Sequence, residues 1–586
     1  MSSAAAGPRR APRPLSPFSL PSGTTFRFAL LIVAVSGTVF SVGLFWVRPF
    51  LGDRAVGVEA TRACVEKYAA GAASGDAEAA RHLALCGGLS DSGLLWIQLG
   101  VLGCFWSLVA LVYWILPGWR IRRRGYGPLD SRRFAGIHEE LARLSRSTGL
   151  EQRVNLLVDL LDGRVNGLAF GRVGKRYVLL SRGLIALYDT DPGAFRAIVL
   201  HELAHLRNRD VDIAYLTLVS SWLFSRLVAI PVTLAFPLAV FDPSAGPASF
   251  YLGTAAGTLL VGLAVPLTRN AVLRSREFHA DARAAAWEAG GTGLAAVLST
   301  QRDIDAQAAV PPVEFLRPHP LAARRLDALR DPAPLFSFVP WEGFALGLVC
   351  ALAQGPVTAF TSGFLGLPAS HPLAALPAAL PLAGGAAYGL WRAELAAFHF
   401  GRSVSSAHRA AVATGIGFLA GTVFRPTSFG TPGAGPSALA GESAAWLLLL
   451  FLGGYVFVQW LAYTARAWAP LGAAGRRRGL LVVAVMCCAL VPLSFGLGLS
   501  YVIRPTDVAL AFSASPDAGD RGTGTYLIRV LTLARDGVPL GYGVLAATAL
   551  VVVPLGGRVI TRVITGARTP RQSPYPALRR DPPRRR

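Results

Sequence analysis

Residues 198–210 read IVLHELAHLRNRD, a charged stretch in a chain that otherwise consists of successive apolar runs. On an α-helix, His201 and His205 are four residues apart and share one face, where both imidazoles can bind one metal ion. Glu202 lies beside them, and a carboxylate at this position can take a proton from a water on the metal. Chance spacing in a surface helix is the alternative, and the residue frequencies of this chain make it rare.

The composition predicts a polytopic α-helical membrane protein. Of its 586 residues, 53% are hydrophobic and only 16% are charged. About ten stretches are apolar over the roughly 20 residues that a helix needs to cross a bilayer. They lie near 25–47, 92–117, 212–240, 248–268, 338–360, 372–392, 408–425, 443–465, 479–501 and 537–557.

The positive charge is distributed in a way that indicates a membrane orientation. The formal net charge is +23, and the arginines concentrate in alternate loops and at both ends. The positive-inside rule therefore places both termini and the basic loops in the cytoplasm, with the chain in the plasma membrane. For the terminal RRDPPRRR, contact with anionic lipid is favoured over nucleic-acid binding. The excess of arginine over lysine and the many alanines indicate a bacterial genome.

These patterns divide the chain into five parts. They are a basic disordered tail at 1–24, two transmembrane helices at 25–117, a catalytic domain at 118–336, six further spans at 337–557 and a second basic tail at 558–586. The loop at 48–91 is expected to lie outside the cell. Cys64 and Cys86 in that loop can form a disulfide in an oxidising exterior, and the alternative is that both are unpaired.

The expected catalytic domain is α+β and is built around a transmembrane hairpin. Its polar segments, 118–210 and 269–336, can meet only if residues 212–268 cross the membrane and return. The sequence predicts a helix within 132–150, short strands within 153–163 and 166–185, and a helix that begins at Asp191-Pro192 and carries His205.

A catalytic zinc usually has three protein ligands and an open position for water, so a third ligand is needed. Residues 273–290, LRSREFHADARAAAWEAG, predict a helix on which Glu277 and Asp281 share a face while His279 points elsewhere. Glu277 can be the ligand, and Asp281 can orient a histidine. The alternative is ordinary ion pairing of these acids with neighbouring arginines, and the residues alone leave it open. Those arginines are Arg274, Arg276 and Arg283.

Three motifs occur in order: HELAH, then REFHAD with an ExxAD pattern, then RPHPLAARRLDAL with an HP…R pattern. Together they resemble the M48 family of membrane zinc metallopeptidases, which includes the HtpX-like proteases and the Ste24-type CAAX prenyl proteases. The resemblance covers about 120–335 and implies a gluzincin-like zinc protease domain facing the cytoplasm. Six spans after 336 and the 48–91 loop depart from the four-span members.

The resemblance also implies a role for each matching residue. His201, His205 and Glu277 look like the ligands of one Zn²⁺ per chain, Glu202 looks like the general base, and Asp281 looks like the acid that orients a histidine.

Further roles follow from the later motif and from one strand. His319 matches the HP histidine. In the family, that histidine lies near the metal and stabilises the oxyanion or regulates access to the site. Arg325 matches the arginine of that motif. The alternative for His319 is a turn histidine before Pro320. A family edge strand that pairs with an extended substrate is matched by Asn166, Gly167, Leu168, Ala169 and Phe170.

The leading hypothesis is a zinc-dependent endopeptidase that cuts membrane or membrane-proximal proteins. Two alternatives remain: a sensor-transducer protease whose external loop detects a ligand, and a non-catalytic transporter or scaffold that retains a zinc site. Prenylated CAAX proteins are possible substrates by resemblance only. The sequence does not indicate the oligomeric state. The stretch GIGFLAG at 415–421 predicts close helix packing rather than a nucleotide site.

Overall fold

A computed structural model describes twelve stretches of the chain. They are 23–55, 91–150, 154–239, 248–288, 291–307, 316–331, 333–365, 371–400, 406–424, 442–472, 488–502 and 540–565, with a few further residues at 64–82 and at 482. Most of the two predicted tails and the predicted partner Cys86 lie outside the described residues, whereas Cys64 is disulfide-bonded. The prediction of disorder is wrong for residues 558–565, because they continue the last described helix, which ends at Thr565.

Residues 118–336, which the sequence predicts to be the catalytic domain and which keep that name below, contain a four-stranded mixed sheet. Its strands are β1 (Gly127–Pro128), β2 (Val154–Asp159), β3 (Gly167–Arg172) and β4 (Lys175–Ser181), in the order β1-β2-β4-β3. β2 runs parallel to β4, and β3 pairs with β4 in an antiparallel hairpin whose turn contains Gly174 at φ 82°. β3 therefore lies at an edge of the sheet, as the sequence predicts for this segment.

Helices pack on this sheet and complete the domain core. They are α3 (Ala135–Ser147), α4 (Arg182–Thr190), α5 (Pro192–Asn208), α9 (Thr292–Gln307) and α10 (Ala322–Arg330). The start of α5 is as predicted, because the Asp191 side chain accepts a hydrogen bond from the N–H of Ala194 and Pro192 follows. Phe170, Phe195 and Leu203 are buried in the core between the sheet and α5. This packing fixes α5 next to β3.

Long apolar helices surround the domain. They are α1 (Gly23–Ala55), α2 (Asp91–Arg124), α6 (Asp210–Phe224), α7 (Ile230–Ala239) and α8 (Ala248–Trp287). A π-helical turn at Ser225–Ala229 joins α6 to α7, and both helices pack against α8. The hairpin expected at 212–268 thus corresponds to packed helices. α8 continues without a break past residue 268 and carries the membrane segment directly into the catalytic domain.

The remaining helices pack around another core, to which Phe26 and Leu30 of α1 also contribute. They are α11 (Pro340–Leu365), α12 (Pro372–Phe400), α13 (His408–Val423), α14 (Glu442–Gly472), α15 (Leu490–Val502) and α16 (Leu540–Thr565). α11 and α13 approach so closely that a Cβ at Gly417 would stand 2.0 Å from the carbonyl oxygen of Phe344. The close helix packing predicted for 415–421 is confirmed.

Among the described residues, seven helices are long and apolar enough to cross a membrane. They coincide with seven of the ten expected spans. The other three expected spans, at 338–360, 408–425 and 479–501, correspond to the helices α11, α13 and α15, which are not among these seven. The chain is thus a multi-pass membrane protein, and ten spans remain a prediction.

Candidate metal centre

Three side chains from two helices converge beside β3. His201 and His205 project from α5 with ring centroids 4.8 Å apart, and Glu277 projects from α8. The Nε2 atoms of His201 and His205 lie 3.5 Å and 3.6 Å from the carboxylate oxygens of Glu277. All three residues are buried. We call His201, His205 and Glu277 the metal site.

The donor set and its spacing fit a zinc ion. Two imidazole nitrogens and a carboxylate are ligands that zinc accepts, with a fourth position open in catalytic sites. Ligands about 2.0 to 2.1 Å from a tetrahedral ion stand roughly 3.4 Å from one another. The nitrogen-to-oxygen distances in the metal site are close to that value and longer than a good hydrogen bond.

A carboxylate lies behind each histidine. Nδ1 of His201 lies 2.9 Å from Oδ1 of Asp281, and Nδ1 of His205 lies 3.2 Å from both carboxylate oxygens of Asp210. Such partners fix the ring orientation and leave Nε2 directed at the metal. The sequence argument anticipated Asp281 but missed Asp210, although this residue ends the HELAHLRNRD stretch. The contact could not be predicted from the sequence, because it depends on how the turn after α5 brings Asp210 against His205.

Asp281 is itself held by an arginine. Arg325 in α10 donates two hydrogen bonds to its carboxylate, at 2.6 and 2.7 Å. Burial lowers the pKa of the His201 imidazole, but the carboxylates of Asp281 and Glu277 outweigh this effect and raise that pKa to about 10. The surroundings of His201 therefore favour a cation, which a proton or a metal ion can supply.

The sequence left open whether Glu277 and Asp281 serve a metal site or pair with the neighbouring arginines. The contacts of those arginines differ from one to the next. Arg276 lies 2.9 Å from Oε1 of Glu277, so this acid takes part in an ion pair as well as in the metal site. Arg283 donates to Asn208, and Arg274 donates to the carbonyl of Arg317. The ion-pair partner of Asp281 is Arg325, which lies in a different helix.

Glu202 points toward the edge strand. Its Oε2 accepts a hydrogen bond of 2.6 Å from the backbone N–H of Ala169 in β3. A Cβ at Gly167 would stand 2.8 Å from Cγ of Glu202, so the strand approaches this closely because residue 167 has no side chain. Sequence reasoning placed Gly167 in the edge strand and missed this contact.

The other residues of the predicted edge segment face different ways. The N–H of Asn166 donates to the hydroxyl of Ser181, which ties the segment to the end of β4. Leu168 lines a cavity beside the site. The Phe170 ring is buried and stacks on Tyr177 at 5.2 Å. Phe170 can therefore meet a substrate only through its backbone.

His319 lies at the rim of the site. Its Nδ1 is 3.7 Å from Oε2 of Glu277, and its side chain is 69% exposed. His279 points away, as expected, and packs against Phe336 with ring centroids 6.0 Å apart. The structure thus places His319 within reach of a ligand in the site and keeps His279 out of it.

Comparison with known proteins gives one family and several relatives. Residues 131–333 match the model of peptidase family M48. The chain is similar to a protease HtpX homolog of Bacteroides fragilis, with 29% identity over 31% of this chain and 58% of the relative. It is also similar to protease HtpX homologs of Persephonella marina, with 26% identity over 32% of this chain and 65% of the relative, and of Acidiphilium cryptum, with 26% identity over 32% and 63%.

The family match is confined to residues 131–333. The chain spans less than two thirds of the length of the relatives it matches, and the matched part is about a third of the chain. No solved structure matches the chain. The helices after residue 336 lie outside the family match.

Proposed function

Because residues 131–333 match the model of peptidase family M48, we propose that this membrane protein is a zinc-dependent endopeptidase that hydrolyses membrane or membrane-proximal proteins. The observation that carries the proposal is the convergence of His201, His205 and Glu277, with Glu202 beside them and an open sheet edge next to Glu202. A scaffold or transporter has no need of a general base held against an edge strand.

The residues divide the work of hydrolysis. A zinc ion held by His201, His205 and Glu277 would polarise the scissile carbonyl and acidify the attacking water. Glu202 accepts the proton of that water and passes it to the leaving nitrogen. The exposed imidazole of His319 can donate a hydrogen bond to the oxygen on which negative charge develops.

The substrate would bind as an additional strand. β3 is paired only with β4, so its outer edge can form backbone hydrogen bonds with an extended peptide. The N–H of Ala169 lies on this edge, where Glu202 now accepts its hydrogen bond. A bound peptide would therefore lie directly across the general base.

The site is proposed to face the cytoplasm. Arg122, Arg123 and Arg124 end α2 next to the catalytic domain, and such basic clusters favour the cytoplasmic side. Substrates would then be the cytoplasmic ends or loops of membrane proteins.

Zinc content and cleavage of a generic unfolded protein test the proposal in detergent-purified full-length chain. The wild type is expected to bind about one zinc and to cleave. Glu202→Gln should retain zinc and lose cleavage by roughly a thousandfold or more. Glu277→Ala should lose most of the zinc.

Glu139→Gln on the exposed face of α3 is the matched control and should behave as the wild type. A folded wild type that binds no zinc when zinc is supplied would overturn the proposal. Cleavage that persists in Glu202→Gln would remove this residue from the base role.

A further inference from the structure

Two adjoining cavities lie along the edge strand β3, beside the metal site. The larger, of about 500 Å³, is lined by Ala169 and His319 and by residues of α2, α6 and α8; we call it the apolar cavity. The smaller, of about 340 Å³, extends along β3 toward Asn166. Leu168, Arg120 and Arg124 line both, so the two form one groove along the sheet edge.

The apolar cavity adjoins the reacting groups. Ala169 in its wall donates a hydrogen bond to Glu202, and His319 in its wall lies 3.7 Å from Glu277. A side chain that enters this cavity therefore belongs to a residue close to the scissile bond.

The charge in the apolar cavity is of one sign. Four arginines line it, and none of its described lining residues is acidic, whereas Asp159 and Asp162 line the smaller cavity. The four arginines are Arg120, Arg123, Arg124 and Arg276. Arg276 is paired with Glu277, whereas Arg120 donates a hydrogen bond to an uncharged group, the hydroxyl of Tyr215 at 3.5 Å. Such cationic groups beside apolar walls attract an anion more strongly than they would in open water.

Helix geometry singles out two of these arginines. Arg120 and Arg124 are four residues apart in α2 and lie on the face toward β3, while Arg122 is on another face and lines neither cavity. The Arg120 guanidinium lies 5.6 Å from the centroid of the Phe170 ring, which holds it over the edge strand.

We propose that Arg120 and Arg124 bind a carboxylate of the substrate, so that the enzyme selects segments in which an apolar residue at the cleavage site is accompanied by a carboxylate. The inference rests on the proposed function, since it takes the occupant of the groove to be the substrate. A guanidinium and a carboxylate form paired, charge-assisted hydrogen bonds, which an uncharged amide replaces poorly. The carboxylate is either an acidic side chain or the free C-terminus of the substrate.

Binding of fluorescent peptides to zinc-loaded, full-length Glu202→Gln protein tests the inference without requiring turnover. Peptides with the same apolar centre carry Glu or Gln at each neighbouring position, and a second series ends in a free carboxylate or an amide. We expect the dissociation constant of the best carboxylate peptide to be about tenfold lower than that of its amide counterpart. The first series identifies a side chain as the source, and the second identifies a C-terminus.

Substitutions in α2 assign the preference to its residues. Added to Glu202→Gln, Arg120→Gln and Arg124→Gln should each reduce the preference, and together they should abolish it, while Arg122→Gln should preserve it. Of the two single variants, Arg124→Gln should disturb folding less, because Arg124 is exposed and is the last residue of the helix. Equal binding of carboxylate and amide peptides, or an equal loss with Arg122→Gln, would overturn the inference in favour of a general attraction of the basic helix end.

Cleavage by the otherwise wild-type enzyme separates this inference from the proposed function. If neutral peptides are cut and the carboxylate gives no advantage in binding, the inference fails and the peptidase stands. If carboxylate peptides bind with the expected preference and none is cut, the peptidase proposal fails and the carboxylate site stands.

Discussion

A glycine determines how closely the edge strand approaches Glu202, the proposed general base. Gly167 leaves room for Glu202, whose Cγ would stand 2.8 Å from an added Cβ. Replacing Gly167 by Ala should move either the strand or the carboxylate, and a displacement of about 1 Å in a reacting group can reduce a rate roughly a hundredfold. We expect kcat/KM to fall by roughly ten- to a hundredfold while zinc content is unchanged.

Gly127→Ala is the control for this prediction, because an added Cβ at Gly127 in β1 meets nothing within 4 Å. Wild-type kcat/KM in Gly167→Ala would show that the contact with Glu202 is not critical.

The arginine behind the metal site should tune its affinity for zinc. Arg325 holds Asp281, and Asp281 lies against Nδ1 of His201. Arg325→Met leaves the buried Asp281 carboxylate without its cation, which weakens its hold on the His201 ring. Loss of such a supporting contact typically costs about 10- to 100-fold in metal affinity. Competition with a chelator measures the change.

Arg330→Met, at the exposed end of the same helix, should leave the zinc affinity unchanged. A similar loss in both variants would point to a general effect of positive charge in α10 rather than to the contact with Asp281.

At the scale of elements, an ion-pair cluster joins α3 to α5, the helix that carries His201 and His205. Glu140 contacts Arg143 within α3 and Arg196 in α5, at 2.6 Å for the latter. Hydrogen bonds from these guanidinium groups, that of Arg143 foremost, hold the pKa of the Glu140 carboxyl below its usual value. The pKa of Glu140 is thus lower in the folded than in the unfolded state. The cluster therefore stabilises the fold fully at pH values above the unfolded-state pKa and loses this effect as the pH falls through the folded-state pKa.

The lowered pKa of Glu140 in the folded state predicts how the stability contributed by the cluster changes with pH. Glu140→Gln should reduce the free energy of unfolding by about 0.5 to 1 kcal/mol near neutral pH, the range for largely exposed pairs. The difference from wild type should shrink as pH falls through the folded pKa of Glu140, because the wild-type carboxyl is then protonated as well. Unfolding curves in detergent at several pH values measure this, with Glu139→Gln as the control. A difference that persists unchanged in acid would contradict the assignment to charge.

At the scale of the whole molecule, a buried ion pair connects the first helix to the helices after residue 336. Arg27 of α1 donates to Glu342 of α11 over 2.6 Å, and Glu342 also accepts from the N–H of Val339. Arg392 in α12 donates to the carbonyls of Phe336 and Ser337, in the segment that leaves the catalytic domain. The helices after residue 336 are therefore held to α1 by the polar contact of Arg27 with Glu342 as well as by the apolar packing of Phe26 and Leu30.

The contributions of Arg27 and Glu342 to the free energy of unfolding should depend strongly on each other. Glu342→Gln leaves Arg27 without its carboxylate and should lower the free energy of unfolding by about 3 kcal/mol. Arg27→Gln should cost a comparable amount, and the double variant should cost clearly less than the sum of both. Thermal unfolding of the four proteins in detergent gives the coupling. Strictly additive losses would show that the two side chains stabilise the protein independently.

The sequence by itself determined the local elements and the membrane class. The apolar runs, the start of α5 at Asp191-Pro192 and the strands of the β3–β4 hairpin depend on side-chain period and on residues adjacent in the chain, which a sequence displays directly. The pairing of His201 with His205 is equally local, because helix geometry alone puts them on one face. Helix periodicity made Glu277 a candidate third ligand, and the resemblance to a family favoured that role over ordinary ion pairing.

Only the tertiary structure decided which distant groups meet. Asp210 turns back onto His205, Arg325 reaches Asp281 from another helix, Gly167 admits Glu202, and Arg120 faces the edge strand. None of these contacts follows from spacing, because each depends on how α2, α5, α8, α10 and β3 pack. α8 illustrates the reason: one unbroken helix links an apolar membrane segment to Glu277, and its packing against α5 sets the position of the third ligand.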